Sequence, residues 1–113
     1  MSDDSPRASQ SQVSVTGRMG TRVVERELPS GDVVTTFTVV VDRPTPGRRE
    51  GGAVVDSIPC QVFKSSIAKR LAGIPAGEWV CVAGTLRRRF WRSATGLSSA
   101  LEVEVSSLTR VRT

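Results

Sequence analysis

A chain of 113 residues is long enough for one domain with a real hydrophobic core and too short for two. It carries 16 basic and 11 acidic side chains, a formal charge of +5, and no histidine. The missing imidazole removes the commonest general base and the commonest metal ligand, and Cys60 and Cys81, with no further thiol near either, cannot build a tetrahedral zinc site.

Residues 1–11 are polar, without an apolar anchor, and are expected to form a disordered tail ahead of a folded domain over residues 12–113. Val13 and Val15 alternate with Ser14 and Thr16 as far as Gly17, which predicts a short strand. Arg22 to Leu28 continues extended, and Pro29-Ser30-Gly31-Asp32 closes a turn. Val33 to Asp42 is the clearest strand, rich in β-formers such as Thr35, Phe37 and Val39. Pro44 to Gly52 holds two prolines, three glycines and Arg48-Arg49, which predicts a mobile basic loop.

Val54 to Phe63 resumes as strand, with Ile58, Cys60 and Val62 on one face and Ser57, Gln61 and Phe63 on the other. Pro59 has no amide donor and should mark a bulge or an unpaired stretch. Ser65 to Gly73 is the one plausible helix: a serine cap opens it, Ile67 and Leu71 face inward, and Gly73 and Pro75 end it. Strand returns from Trp79 through Arg92, Ser93 to Gly96 turns, and Leu101, Val103 and Val105 alternate with glutamates in a last strand. Both cysteines fall among strand residues and read as reduced core thiols. Five strands interrupted by a single helix, between the third and the fourth, is the order of an all-β oligonucleotide-binding (OB-fold) barrel, a five-stranded Greek-key fold.

The run Gly84 to Arg92 carries the functional signal: four arginines and two aromatics on one continuous strand. Alternation projects Arg87, Arg89 and Trp91 to one face at a repeat of roughly 6.6 Å, and Leu86 and Phe90 to the other. Guanidinium groups meet phosphates and an indole gives an unstacked base a platform. Residues 84–113 hold six arginines against Glu102 and Glu104, a surplus of four, whereas the other 83 residues hold ten basic and nine acidic groups. Positive charge is therefore local to the last strands, as a nucleic-acid footprint would be. Trp79 shares the strand parity of Trp91, but Gly84 between them invites a bulge that would break it, and a structural role is assigned to Trp79.

These residues resemble the bacterial single-stranded DNA-binding proteins over roughly Gln12 to Val111. The matching pieces are Val15 to Gly20, Pro29-Ser30-Gly31, Val34 to Val39, Val62-Phe63, the Ala68 to Leu71 helix, Val82 to Arg87, and Glu102 to Val105. The resemblance implies an oligonucleotide-binding barrel, assembled as a homotetramer, that wraps single-stranded DNA without reading sequence in replication, recombination or repair. It implies that Trp91 and Phe63 stack on bases and that Arg87 and Arg89 contact the backbone. Arg92, Lys64, Arg48 and Arg49 are added as basic neighbours of that surface. Two positions that are aromatic in well-known members are Thr45 and Ser57 here, and the family's glycine-rich linker and acidic tip are not present before Thr113. The expectation is an accessory, tail-less type without tail-mediated recruitment of repair enzymes.

The alternative is an interaction module resembling primosomal replication protein N, which has the same fold and bridges replication proteins. RNA is a third partner class, because stacking platforms accept either sugar. An enzyme is not expected: no serine has a histidine or buried lysine as base, and the glycines at 47, 51 and 52 lack the spacing of a phosphate-binding loop. Neither a cofactor nor a metal is expected. No apolar run reaches the roughly 20 residues that span a bilayer, and the acidic start from Met1 to Pro6 is unlike a secretory signal. A cytoplasmic, nucleoid-associated protein is expected. Val34 and Val40 share a parity opposite to Phe37, Val39 and Val41, so a second subunit is expected to cover some of these valines, together with Val23 and Val24.

Overall fold

Alternating β-branched and polar residues become six strands in the computed structural model, which describes residues 9–43 and 54–111. They are β1 (Gln12–Met19), β2 (Val24–Glu27), β3 (Val33–Asp42), β4 (Val55–Val62), β5 (Trp79–Ser93) and β6 (Gly96–Arg110), with one helix, α1 (Ser65–Ala72), between β4 and β5. The expected loop over Pro44 to Gly52, with Thr45, Arg48 and Arg49, and the first eight residues lie outside the described residues. Ser11, expected in the tail, already bonds to Leu86 through its backbone and its hydroxyl.

The strands form a closed ring. β1 runs antiparallel to β5 from Gln12–Thr85 to Arg18–Trp79, then passes to β3 through Arg18–Val40 and Met19–Val39. β3 pairs with β4, β4 with β6 in parallel, and β6 with β5, which returns to β1. This is the five-stranded Greek-key OB barrel with its helix between the third and fourth barrel strands. The extended stretch near Arg22 to Leu28 is the sixth strand, β2, which lies outside the ring on the edge of β3. Closure needs a close approach where β1 changes partner: a β-carbon on Gly17 would overlap the carbonyl oxygen of Val40.

Inside lie Phe37, Val39, Cys60, Val62, Val80, Val82, Val103, Val105 and Leu108, all buried, and α1 adds Ile67 and Leu71 to them. The helix is not capped by serine. Its N-cap is Lys64, still extended from β4 and without a side-chain cap bond, and the Lys64 carbonyl accepts from the amides of Ile67 and Ala68. The way the chain leaves β4 sets the boundary there. Pro59 causes no bulge, because β3 and β4 stay in register from Thr35–Val62 to Asp42–Val55. On the β6 side, pairing is confined to Cys60 and Gln61, just after the proline that cannot donate.

The bulge lies between β5 and β6, where Ala83 pairs with Ser107 but Gly84 with Val105. The extra residue is Ser106, on the partner strand, and its hydroxyl donates to the Ala83 carbonyl. β5 therefore keeps its parity through the bulge, contrary to expectation, and Trp79 and Trp91 point to the same side. Trp79 is outside the core, with the Arg18 guanidinium 5.6 Å above its ring, and Arg18 is held in turn by Asp42.

Two further expectations change. Val34 is buried within the single chain and Val40 half-buried, so neither requires a second subunit. Cys60 is a core thiol, pushed up to about 12 by burial and by nearby Glu102. Cys81 is on the outer side of β5, partly exposed, and its pKa is lowered by hydrogen bonds from Ser14 and Thr16.

Two outcomes follow. Gly84→Ala would drive a methyl group into the Glu104 carbonyl, so thermal denaturation should show a loss of about 1–3 kcal/mol, the usual cost of overpacking. A disulfide reagent at neutral pH should label Cys81 alone in the native protein and Cys60 only after denaturant, since the thiolate is the reactive form.

Candidate nucleic-acid interface

Beyond Leu86 and Val103, β5 and β6 leave the barrel as a long hairpin paired from Arg87–Glu102 to Ser93–Gly96. Because β5 keeps its parity, Arg87, Arg89 and Trp91 share one face, as the sequence predicts, opposite Ser98, Ala100, Glu102 and Glu104 of β6. The contacts across it are diagonal. Arg87 pairs in register with Glu102, yet its Nε donates to Oε1 of Glu104 at 2.9 Å. Arg89 pairs with Ala100, and its Nε lies 3.8 Å from Oε1 of Glu102. The Arg89 guanidinium also sits 5.0 Å from the centroid of the Trp91 ring, a cation–π contact. Glutamates thus anchor both arginines of the row, and the indole carries a guanidinium on one face while remaining 39% exposed.

This face looks onto the outer surface of the barrel. Arg89 and Glu102 line an open cleft of about 340 Å³ with Thr36 and Thr38 of β3, Pro59 of β4, and Arg22, Val24 and Arg26. Strand alternation in β2 sorts its charges: Val24 and Arg26 line this cleft, whereas Glu25 lines a second groove on the other side of the β2–β3 ribbon. Arg22 and Arg26 make no ion pair among the described residues, so the cleft offers two uncompensated guanidinium groups besides Arg89. Among the described residues Glu102 is the cleft's one acid, and it is buried. Sequence reasoning missed Arg22 and Arg26. The signal was present in the alternation Val24-Glu25-Arg26-Glu27, which separates the two charge signs onto two faces.

The remaining predicted residues are dispersed. Phe63 lies one residue past the end of β4, 45% exposed, and lines the second groove, of about 490 Å³, with Ala68 and Lys69 of α1 and Asp32 of the β2–β3 turn. Lys64 is exposed at the helix N-cap. Arg92 is on the face of the hairpin opposite Trp91. Ser57 is exposed on the outward side of β4 across from Val40, at a position with no ring to stack on. Arg48 and Arg49 lie outside the described residues. Among the described residues no cluster of three or more histidine, cysteine, aspartate or glutamate side chains could hold a metal, and no helix is long and apolar enough to cross a membrane.

Comparison with known proteins bears on this geometry. The fold is shared with the Plasmodium falciparum SSB in its complex with ssDNA, at 22% identity and a TM-score of 0.78 over 96% of this chain and 100% of that one. It is also shared with the mitochondrial single-stranded DNA-binding protein Rim1 of S. cerevisiae, at 14% identity and a TM-score of 0.71 over 93% and 98%. No curated protein matches the chain by sequence. The model of the single-strand binding protein family matches residues 10–111, the barrel and the hairpin together, and the chain belongs to that family.

Proposed function

We propose that this protein binds single-stranded DNA independently of sequence, with the strand running between the Arg87–Arg89–Trp91 face of the hairpin and the cleft beneath it. The observation that carries this is the convergence of Arg89 from the hairpin with Arg22 and Arg26 around one open cleft beside an exposed indole. A base stacked on the free face of Trp91 contributes about 1–3 kcal/mol. Arg89 behind the ring would complete a guanidinium–indole–base stack. Neither phosphate contact nor stacking reads base edges, which makes the binding indifferent to sequence.

Phosphates must compete with the glutamates already on the arginines. An exposed ion pair contributes roughly 0–1 kcal/mol, so a strand can exchange Glu104 for phosphate on Arg87 at little cost. The pairs hold the guanidinium groups in place before binding and weaken attraction until a strand arrives. Phe63 would act apart from this cleft, as a second platform at the helix.

We further propose that the protein is a homo-oligomer, a tetramer before a dimer. β1 pairs with β5 along one edge, and among the described residues its other edge meets β3 only at Arg18 and Met19, which leaves strand edge open to a second copy. Val23, Val24, Val33 and Val55 remain exposed. Light scattering on the DNA-free protein at micromolar concentration should give a tetramer, and a monomer would overturn this reading.

Poly-dT, a duplex of equal length and an RNA oligomer, titrated at low salt, test the main proposal. Tight binding to poly-dT and weak binding to duplex is the expected result. Equal affinity for both, or for neither, would favour the module that bridges replication proteins, and preference for the RNA oligomer would reassign the nucleic acid. Trp91→Ala should weaken binding with the salt slope nearly intact, whereas Arg26→Ala should make the slope shallower by about 0.7, the share of one neutralised phosphate. Glu104→Gln frees Arg87 and should tighten binding about two- to fivefold at low salt, the range of an exposed ion pair. A weaker Glu104→Gln variant would show that the pair orients Arg87 more than it competes.

A further inference from the structure

The hairpin has a second face. Parity along β5 places Arg88, Phe90 and Arg92 there, with Leu97 and Leu101 across on β6. Nearer the barrel the same parity belongs to the core residues Val80 and Val82, but past Leu86 the hairpin has left the barrel and none of the described residues covers it. Phe90 is 58% exposed and Leu97 70%.

Charge sets this face apart from the one over the cleft. There, Arg87 and Arg89 are matched by Glu104 and Glu102. Here, Arg88 and Arg92 make no ion pair among the described residues, and the one side-chain hydrogen bond of Arg88 there is from Nη1 to Oγ of Ser99 at 3.1 Å. The uncompensated charge of the hairpin thus lies on the back, where two guanidinium groups straddle an exposed ring. That repeats the arginine and aromatic content of the front without its acids.

We propose that this back face is a second contact surface for the same strand, on which Phe90 stacks on a base while Arg88 and Arg92 hold the neighbouring phosphates. The strand would pass around the hairpin and not only beneath it. This rests on the single-stranded DNA reading above. Charge chooses the occupant: a second copy docked symmetrically would set Arg88 and Arg92 against their own counterparts, and an apolar partner would desolvate both arginines unpaired. A polyanion carrying stackable rings meets both requirements.

The test moves the fluorophore. In a Trp79→Phe/Trp91→Phe background, Phe90→Trp gives a single indole on the back face, and poly-dT should quench it while fluorescence anisotropy of labelled poly-dT reports binding independently. Arg88→Gln/Arg92→Gln, with both native tryptophans kept, should weaken poly-dT binding and make the salt slope shallower by about 1.4, two phosphates at roughly 0.7 each. Phe90→Ser should weaken binding about five- to hundredfold, the range for one stacked base. Binding without quenching, or an unchanged slope in the arginine pair, would overturn the back face and leave the cleft reading intact. A Phe90→Ser protein with unchanged affinity but a smaller assembly by light scattering would reassign the face to a subunit contact and also overturn it. Wild-type protein that fails to bind poly-dT removes both readings together. If the tryptophan replacements prevent folding, the slope of the arginine pair decides alone.

Discussion

The structure depends on β5 keeping one parity from Trp79 to Ser93 while its surroundings change from barrel to solvent. Over its first half the even positions are Val80 and Val82, fully buried in the core. Over its second half the same parity carries Leu86, Arg88, Phe90 and Arg92, and the odd parity carries Arg87, Arg89 and Trp91 over the cleft. The bulge at Ala83/Gly84 makes this compatible with β6, because the extra residue, Ser106, sits on the partner strand. β6 shifts its parity there, from Leu108 inward to Val105 and Val103 inward, and so turns Glu102 and Glu104 to the side of the arginine row. A glycine at 84 is what permits the close approach.

Electrostatics on the hairpin follow from that register. With no bulge, β6 would present its glutamates inward and its valines to the arginines, and neither the core nor the ion pairs could form. As it stands, the row over the cleft is formally balanced, and among the described residues Arg22 and Arg26, which line the cleft, and Arg88 and Arg92, on the hairpin back, make no ion pair. Charge counted along the chain points to residues 84–113 as a whole. Charge placed in space divides the hairpin into a front whose arginines face glutamates and a back whose arginines make no ion pair among the described residues. On the proposed reading, a strand would be held by exchange of partners in front and by direct neutralisation behind.

The β2–β3 ribbon makes a comparable division at the barrel surface. Its alternation sends Arg26 to the cleft and Glu25 to the groove where Phe63 lies beside α1. Phe63 and Trp91, paired by resemblance as stacking residues, therefore stand beside grooves of opposite character. On the proposed reading, a strand that touched both residues would meet them in two separate grooves.

Local periodicity was enough to read the elements, their order, the helix face of Ile67 and Leu71, and the shared face of Arg87, Arg89 and Trp91, because a period of two or of 3.6 is written in neighbouring residues. The family resemblance was legible on the same ground, as short pieces in a fixed order. What neighbours in sequence cannot encode is which strands meet. The passage of β1 from β5 to β3 at Gly17, the placement of the bulge residue on β6 and not on β5, and the burial of Val34 by its own chain all depend on pairings between distant segments. So do the diagonal glutamates that occupy the row and the arrival of Arg22 and Arg26 opposite it. The sequence by itself determined an OB barrel with a basic, aromatic hairpin. Only the tertiary structure decided which arginines are matched and which are free, because a charge is neutralised by what stands near it in space and not by what adjoins it along the chain.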